Sequence, residues 1–215
     1  ASADEAYMVG RLTVCQIRNL VLSGRELSDK NNLMQNILLG NMLVVDMYNK
    51  AKKLHVDQAK RIVYVIEVEG RKDTVILETV KNLFADRNKD FVTELDEQNI
   101  ILIKNAEEIK SEADAEKLAK MLVDNLHTEA MIRVRVGYGN LIEKLPDIAK
   151  SYQEAKMALE VGRIFYAEDE TISYSRLGIG RLIYQLPMSL CEMFIKEIFG
   201  DRQLNLDEET KVTIQ

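Results

Sequence analysis

Glu67 and Glu69 stand two residues apart at the end of the apolar run Ile62 to Ile66. In an extended strand alternate side chains share a face, so these carboxylates point the same way and could hold a hard divalent cation with waters. A second acidic pair, Asp96-Glu97, opens the polar stretch Asp96-Glu97-Gln98-Asn99 between two short apolar runs, where a solvated turn is the simplest reading. Arg133 and Arg135 alternate with Ile132, Val134 and Val136. That pattern puts two guanidiniums on one face of a strand, able to receive an anion or simply solvated. Gly137-Tyr138-Gly139 follows without a third glycine opening a helix, so it reads as a tight turn, not a phosphate cradle. The two histidines, His55 and His127, have no cysteine nearby, which argues against the usual zinc spacings and against a histidine-activated nucleophile. Cys15 and Cys191 fall in amphipathic patterns and read as reduced, core-packed thiols. No catalytic, cofactor-binding or metal-ligating residue is assigned on these grounds, and no cofactor is expected.

The chain has 215 residues, 47% hydrophobic and 30% charged, enough for one sizeable core or one domain with helical extensions. A net charge of -6 argues against a broad basic surface for nucleic acid. No uncharged apolar run reaches the roughly 18 residues of a membrane span. The chain does not open on a basic segment followed by an apolar one, so no signal peptide is expected and a cytoplasmic location is.

The elements follow from periodicity. Residues 6 to 54 read as helix, with Leu33, Ile37, Val44, Tyr48 and Ala51 as a stripe widened by Met34, Leu38 and Met47. The polar stretch Ser23 to Asn32, with Gly24, is expected to split this segment in two. Ile62 to Val68 fits a strand covered on both faces. Thr74 to Asp86 is a helix; Phe91 to Leu95 and Ile100 to Ile103 are strands joined by the acidic turn. Ser111 and Asp114 form a variant capping box ahead of the face Ala115, Leu118, Ala119, Leu122 and Leu126. After the strand through Val136, Pro146 suits a first helical turn. Ile148, Tyr152, Ala155 and Leu159 then line a helix expected to end at Gly162. A short strand, Ile172 to Tyr174, and two helices follow, the second from Pro187 to Gly200; a last helix begins after Asp207. Strand, helix, strand, strand, helix, strand, helix is the split βαβ order, so an α+β, ferredoxin-like βαββαβ domain with helical extensions is expected. The long apolar stripe of the N-terminal helices calls for cover by its own domain, by a second copy, or by both.

Two further segments carry a resemblance. Val134-Arg135-Val136-Gly137-Tyr138-Gly139 followed by Ser151-Tyr152-Gln153-Glu154-Ala155-Lys156-Met157-Ala158-Leu159 resembles the last strand and helix of GGDEF domains. It is more similar to the GGDEF-like domain of PucR and CdaR regulators, with a G-x-G turn, an S-x-x-E-A-x-x-A-L helix, then a Y-x-x-L-G segment. The last reads here Tyr174-Ser175-Arg176-Leu177-Gly178. The helix Asn36 to Leu54 and the stretch Leu204 to Thr210 look like that family too, so the likeness covers roughly residues 30 to 215.

The resemblance implies the regulatory, dimerising portion of a bacterial transcription regulator, with no catalysis of its own. Its DNA-reading helix-turn-helix is expected beyond Gln215, and its small-molecule effector in another domain. The implied division is a helical dimerisation segment over 1–55, a GGDEF-like domain over 56–175 and a helical connector over 176–215. The resemblance also frames the acids. A working diguanylate cyclase needs glycines in the hairpin turn, where backbone meets the guanine nucleotide, and an acid that helps hold metal ions. Here Glu94-Leu95 precedes Asp96-Glu97, and no glycine pair is present. Glu67 and Glu69 fall near the metal-binding acid of a cyclase's first strand, but no phosphate-binding lysine pattern follows. The alternatives are a degenerate cyclase that still binds a nucleotide or metal, and a scaffold with no ligand.

Overall fold

A computed structural model describes residues 3–70, 74–84, 89–96 and 98–199. Among these are seven helices and a five-stranded sheet. The elements run α1 (Ala3–Leu38), α2 (Val44–Lys53), β1 (Arg61–Val68), α3 (Thr74–Leu83), β2 (Phe91–Glu94), β3 (Asn99–Asn105), α4 (Glu112–Ala130), β4 (Val134–Tyr138), α5 (Ile148–Phe165), β5 (Thr171–Ser173), α6 (Gly180–Gln185) and α7 (Met188–Phe199). The strand order is β2-β3-β1-β4-β5. β1 lies antiparallel between β3 and β4, β2 and β3 form the hairpin, and β5 adds parallel to β4. No described helix is long and apolar enough to cross a membrane.

The unbroken apolar run of β1 is explained by a sheet with both faces covered. Tyr64, Ile66 and Val68 face α3 and α4, packing with Ile76, Val80, Leu122 and Leu126. Val63 and Val65 face the other way, onto α1, α2 and α5, among Ile37, Met47, Tyr152 and Leu159. The α4 cap forms as the sequence indicates: Asp114 N–H donates to Ser111 Oγ at 3.2 Å, and Ser111 N–H donates to the Asp114 carboxylate at 2.9 Å.

Several boundaries differ from the periodicity reading. α1 runs through Ser23–Asn32 without a break. One glycine in a helix interior costs only about 1 kcal/mol, and Lys30 pairs with Glu26 one turn back at 2.8 Å. The break falls at Gly40 instead, where φ is +68°. Gly40 N–H donates to Ile37 O and Asn41 N–H to Asn36 O, the paired bonds of a Schellman cap. α5 passes through Gly162 to Phe165; a Cβ at Gly162 would stand 2.2 Å from Ile172 Cδ1, so that glycine serves helix–strand packing, not termination.

Of the apolar residues expected to exceed one helix face, Met34, Ile37, Leu38 and Met47 are buried in the domain's own core and Tyr48 is half-buried. Val44 and Val45 are exposed. Cys15 is exposed and Cys191 partly so; neither is a core thiol. The expected end of the last strong helix at Gly200, the helix after Asp207 and the segment Leu204 to Thr210 lie outside the described residues.

Candidate functional site

The antiparallel registers bring the candidate acids to one corner. β1 pairs with β3 from Arg61 opposite Asn105 to Glu67 opposite Asn99. The C-terminal end of β1 therefore lies against the hairpin turn that begins at Asp96. Glu67 and Glu69 share the strand face that carries Val63 and Val65, the side covered by α5.

Each described carboxylate at this corner is already engaged or open to water. Glu67 forms an ion pair with Arg163 of α5, and Arg135 stands opposite it in the β1–β4 register. Glu69 is exposed. The Asp96 carboxylate closes its own turn: Oδ1 accepts from Gln98 N–H at 2.9 Å and Asn99 N–H at 2.6 Å, and Oδ2 accepts from Asn99 Nδ2 at 2.8 Å. Glu97 lies outside the described residues. Leu95 packs its side chain against the core under α5, where a nucleotide-binding turn would present bare backbone. No group of three or more metal-ligating side chains occurs among the described residues.

The arginines divide. Arg135 Nη2 donates to the carbonyls of Tyr166, Ala167 and Asp169 at 2.9, 3.3 and 3.2 Å, fixing the chain that leaves α5. Arg133 is exposed. His55 and His127 are also exposed, one after α2 and one on α4.

Gly137-Tyr138-Gly139 and the helix motif after it prove to be one joint. A Cβ at Gly137 would stand 2.5 Å from Ala155 O, and one at Gly139 would stand 2.2 Å from Ser151 O. The glycines let α5 lie against β4 at backbone distance. Ser151, fully buried, then splices into the ladder: its Oγ accepts from Val63 N–H at 3.2 Å and donates to Asn140 O at 2.9 Å. One turn on, Glu154 accepts from Asn140 N–H at 2.8 Å. Gly137 and Tyr138 are not the expected tight turn but strand residues of β4, paired with Val65 and Tyr64; the S-x-x-E pair secures the strand end at Asn140, and Ala155 and Ala158 keep the seam thin. A phosphate cradle needs those N–H groups free; here helix backbone and side chains occupy the space.

Two residues outside the sequence reading anchor the opposite end of β1. The Arg61 guanidinium is buried; it donates to Lys89 O at 2.7 Å and Asp57 O at 3.0 Å and lies over the Phe91 ring. Asp90, also buried, takes Lys104 Nζ at 2.6 Å and Asn105 N–H at 2.8 Å. A lysine–arginine pair ahead of an apolar run looks in sequence like any solvated strand flank, so neither anchor was visible there.

The cleft between α1 and β2, about 460 Å³, is lined by charges held by one another: Lys30 by Glu26, Lys81 by Glu78, Asp90 by Lys104. A smaller cleft of about 230 Å³ opens at the start of α4, where Ser173 and Ser175 donate to Glu112. Tyr138 borders it, its phenol pushed above the usual range chiefly by burial.

The GGDEF-like domain family matches residues 40–161, over half the chain, and the chain belongs to that family. No curated protein matches it.

Proposed function

We propose that this chain is the regulatory, dimerising portion of a bacterial transcription regulator of the PucR/CdaR type, and that its GGDEF-like domain is not an enzyme. The observation that carries the reading is the corner at the end of β1. Glu67 is neutralised by Arg163, Asp96 is spent on its own turn, and Leu95 stands where a glycine is needed. The G-x-G and S-x-x-E elements serve packing, which accounts for a GGDEF-like sequence without cyclase chemistry. The order β1, α3, β2, β3, α4, β4 supports a ferredoxin-like core.

In this reading the protein acts in the cytoplasm as a homodimer. An effector bound to another domain shifts how the two copies sit, and DNA is read by a helix-turn-helix beyond Gln215. Such a switch needs two arrangements with different effector affinity. Incubation with GTP and magnesium or manganese is the direct assay: no cyclic dinucleotide forms, and protein-dependent product would overturn the reading. A mobility-shift assay on the regulator's own promoter, at physiological salt, is expected to give only nonspecific binding. A discrete salt-resistant complex would put the DNA-reading element inside this chain.

A further inference from the structure

α1 has 36 residues and a length of about 54 Å at 1.5 Å per residue. Among its described side chains the buried ones, Lys30, Leu33, Met34, Ile37 and Leu38, all lie in its last turns. Every residue from Arg11 to Glu26 is exposed. The buried set marks which side of the helix the domain occupies. At 3.6 residues per turn, that same side carries Leu12, Gln16, Asn19 and Ser23 further up, a mixed and partly polar surface. The opposite side carries Tyr7, Val14, Ile17 and Val21, all at least half exposed. Tyr7, Val14 and Val21, seven residues apart, take the a positions of a heptad repeat, two of them β-branched, the choice that favours two strands; Ile17 takes the d position between Gly10 and Gly24.

The flanks of this seam differ. Arg11, Arg18 and Arg25, also seven apart, line one side; Thr13, Leu20 and Leu27 line the other. In an antiparallel pair each flank meets its own copy, so arginines would face arginines. In a parallel pair the arginine flank meets the Thr13–Leu20–Leu27 flank, where the aliphatic stems of Arg18 and Arg25 can cover leucine. The domain side of the helix is closed to a parallel partner, because two domains would then fill the space between the helices. A back-to-back pair keeps both domains outside.

We propose that residues 7–25 of α1 form a parallel two-stranded coiled coil with a second copy of the chain, through Tyr7, Val14, Ile17 and Val21. The inference rests on the dimeric part of the reading above and names its interface. A parallel pair leaves both domains at the same end of the coil, as paired DNA-reading modules require.

Single-cysteine cross-linking on the full chain tests it, in a background carrying C15S and C191S. V14C, I17C and V21C each give a covalent dimer with the thiol oxidant diamide, while L12C, on the domain side, gives about tenfold less, because disulfides form only between closely apposed Cβ atoms. These positions are exposed in the protomer, so the variants are expected to keep the wild-type circular dichroism. Light scattering is run on the same samples. A monomer at tens of micromolar overturns both the dimer and its seam. A dimer that cross-links at L12C instead, at only one seam position, or at none overturns the parallel seam alone and leaves dimerisation standing.

Discussion

Gly139→Ala puts a methyl group 2.2 Å from the Ser151 carbonyl oxygen, a backbone atom that cannot move without shifting α5. Overpacking of a tight seam costs typically about 1–3 kcal/mol, and a backbone clash belongs at the upper end. Urea unfolding of G139A is expected to show that loss with an unchanged m-value; a neutral substitution would mean that α5 is not seated on β4 at this distance. Asp114 makes a second residue-scale case. The hydroxyl of Ser111, followed by backbone N–H groups, holds its carboxyl below the ordinary value of 3.8. A folded-state pKa that is depressed gives stability that is complete above the ordinary value and is lost as pH falls through the lowered one. The stability gap between wild type and D114A is therefore expected to be constant near neutrality and to close as the solution is acidified below 3.8. A gap unchanged down to the acid limit would remove the carboxylate from the cap. The capping box was readable from Ser111 and Asp114 because its partners are three residues apart. The role of Ser151 was not, because Val63 and Asn140 reach it only through the β1–β4 register and the turn beyond it.

At the scale of elements, the strands and the helices over the sheet were legible because each repeats its apolar residues at its own period. What failed were the ends, where one residue type serves two purposes. Gly24 was read as a breaker and Gly162 as a stop, yet both lie inside helices, while Gly40, with its positive φ, ends α1. The same ambiguity affected the N-terminal stripe: apolarity announces that a face is covered, not by what. Ile37 is fully buried under the sheet, so I37A is expected to cost about 2–5 kcal/mol, the usual range for such truncations. A loss of under half of the lower figure would detach α1 from the core. A chain started at Val56 strips Leu33, Met34, Ile37, Leu38, Met47 and Ala51 from the sheet face and is expected not to fold, whereas one started at Glu26 keeps them all. Circular dichroism melts of the two truncations check this.

For the whole molecule, the GGDEF-like domain brings together a corner where Glu67 is paired with Arg163 and Asp96 is bonded within its own turn. The sequence shows no glycine pair in this turn, but it could not show Arg163 against Glu67, because 96 residues separate them in the chain. The proposed absence of nucleotide binding is tested most directly by calorimetric titration of GTP into the full chain with manganese present, and the expected result is no binding heat. Saturable binding of GTP by the native chain at micromolar concentration would contradict it.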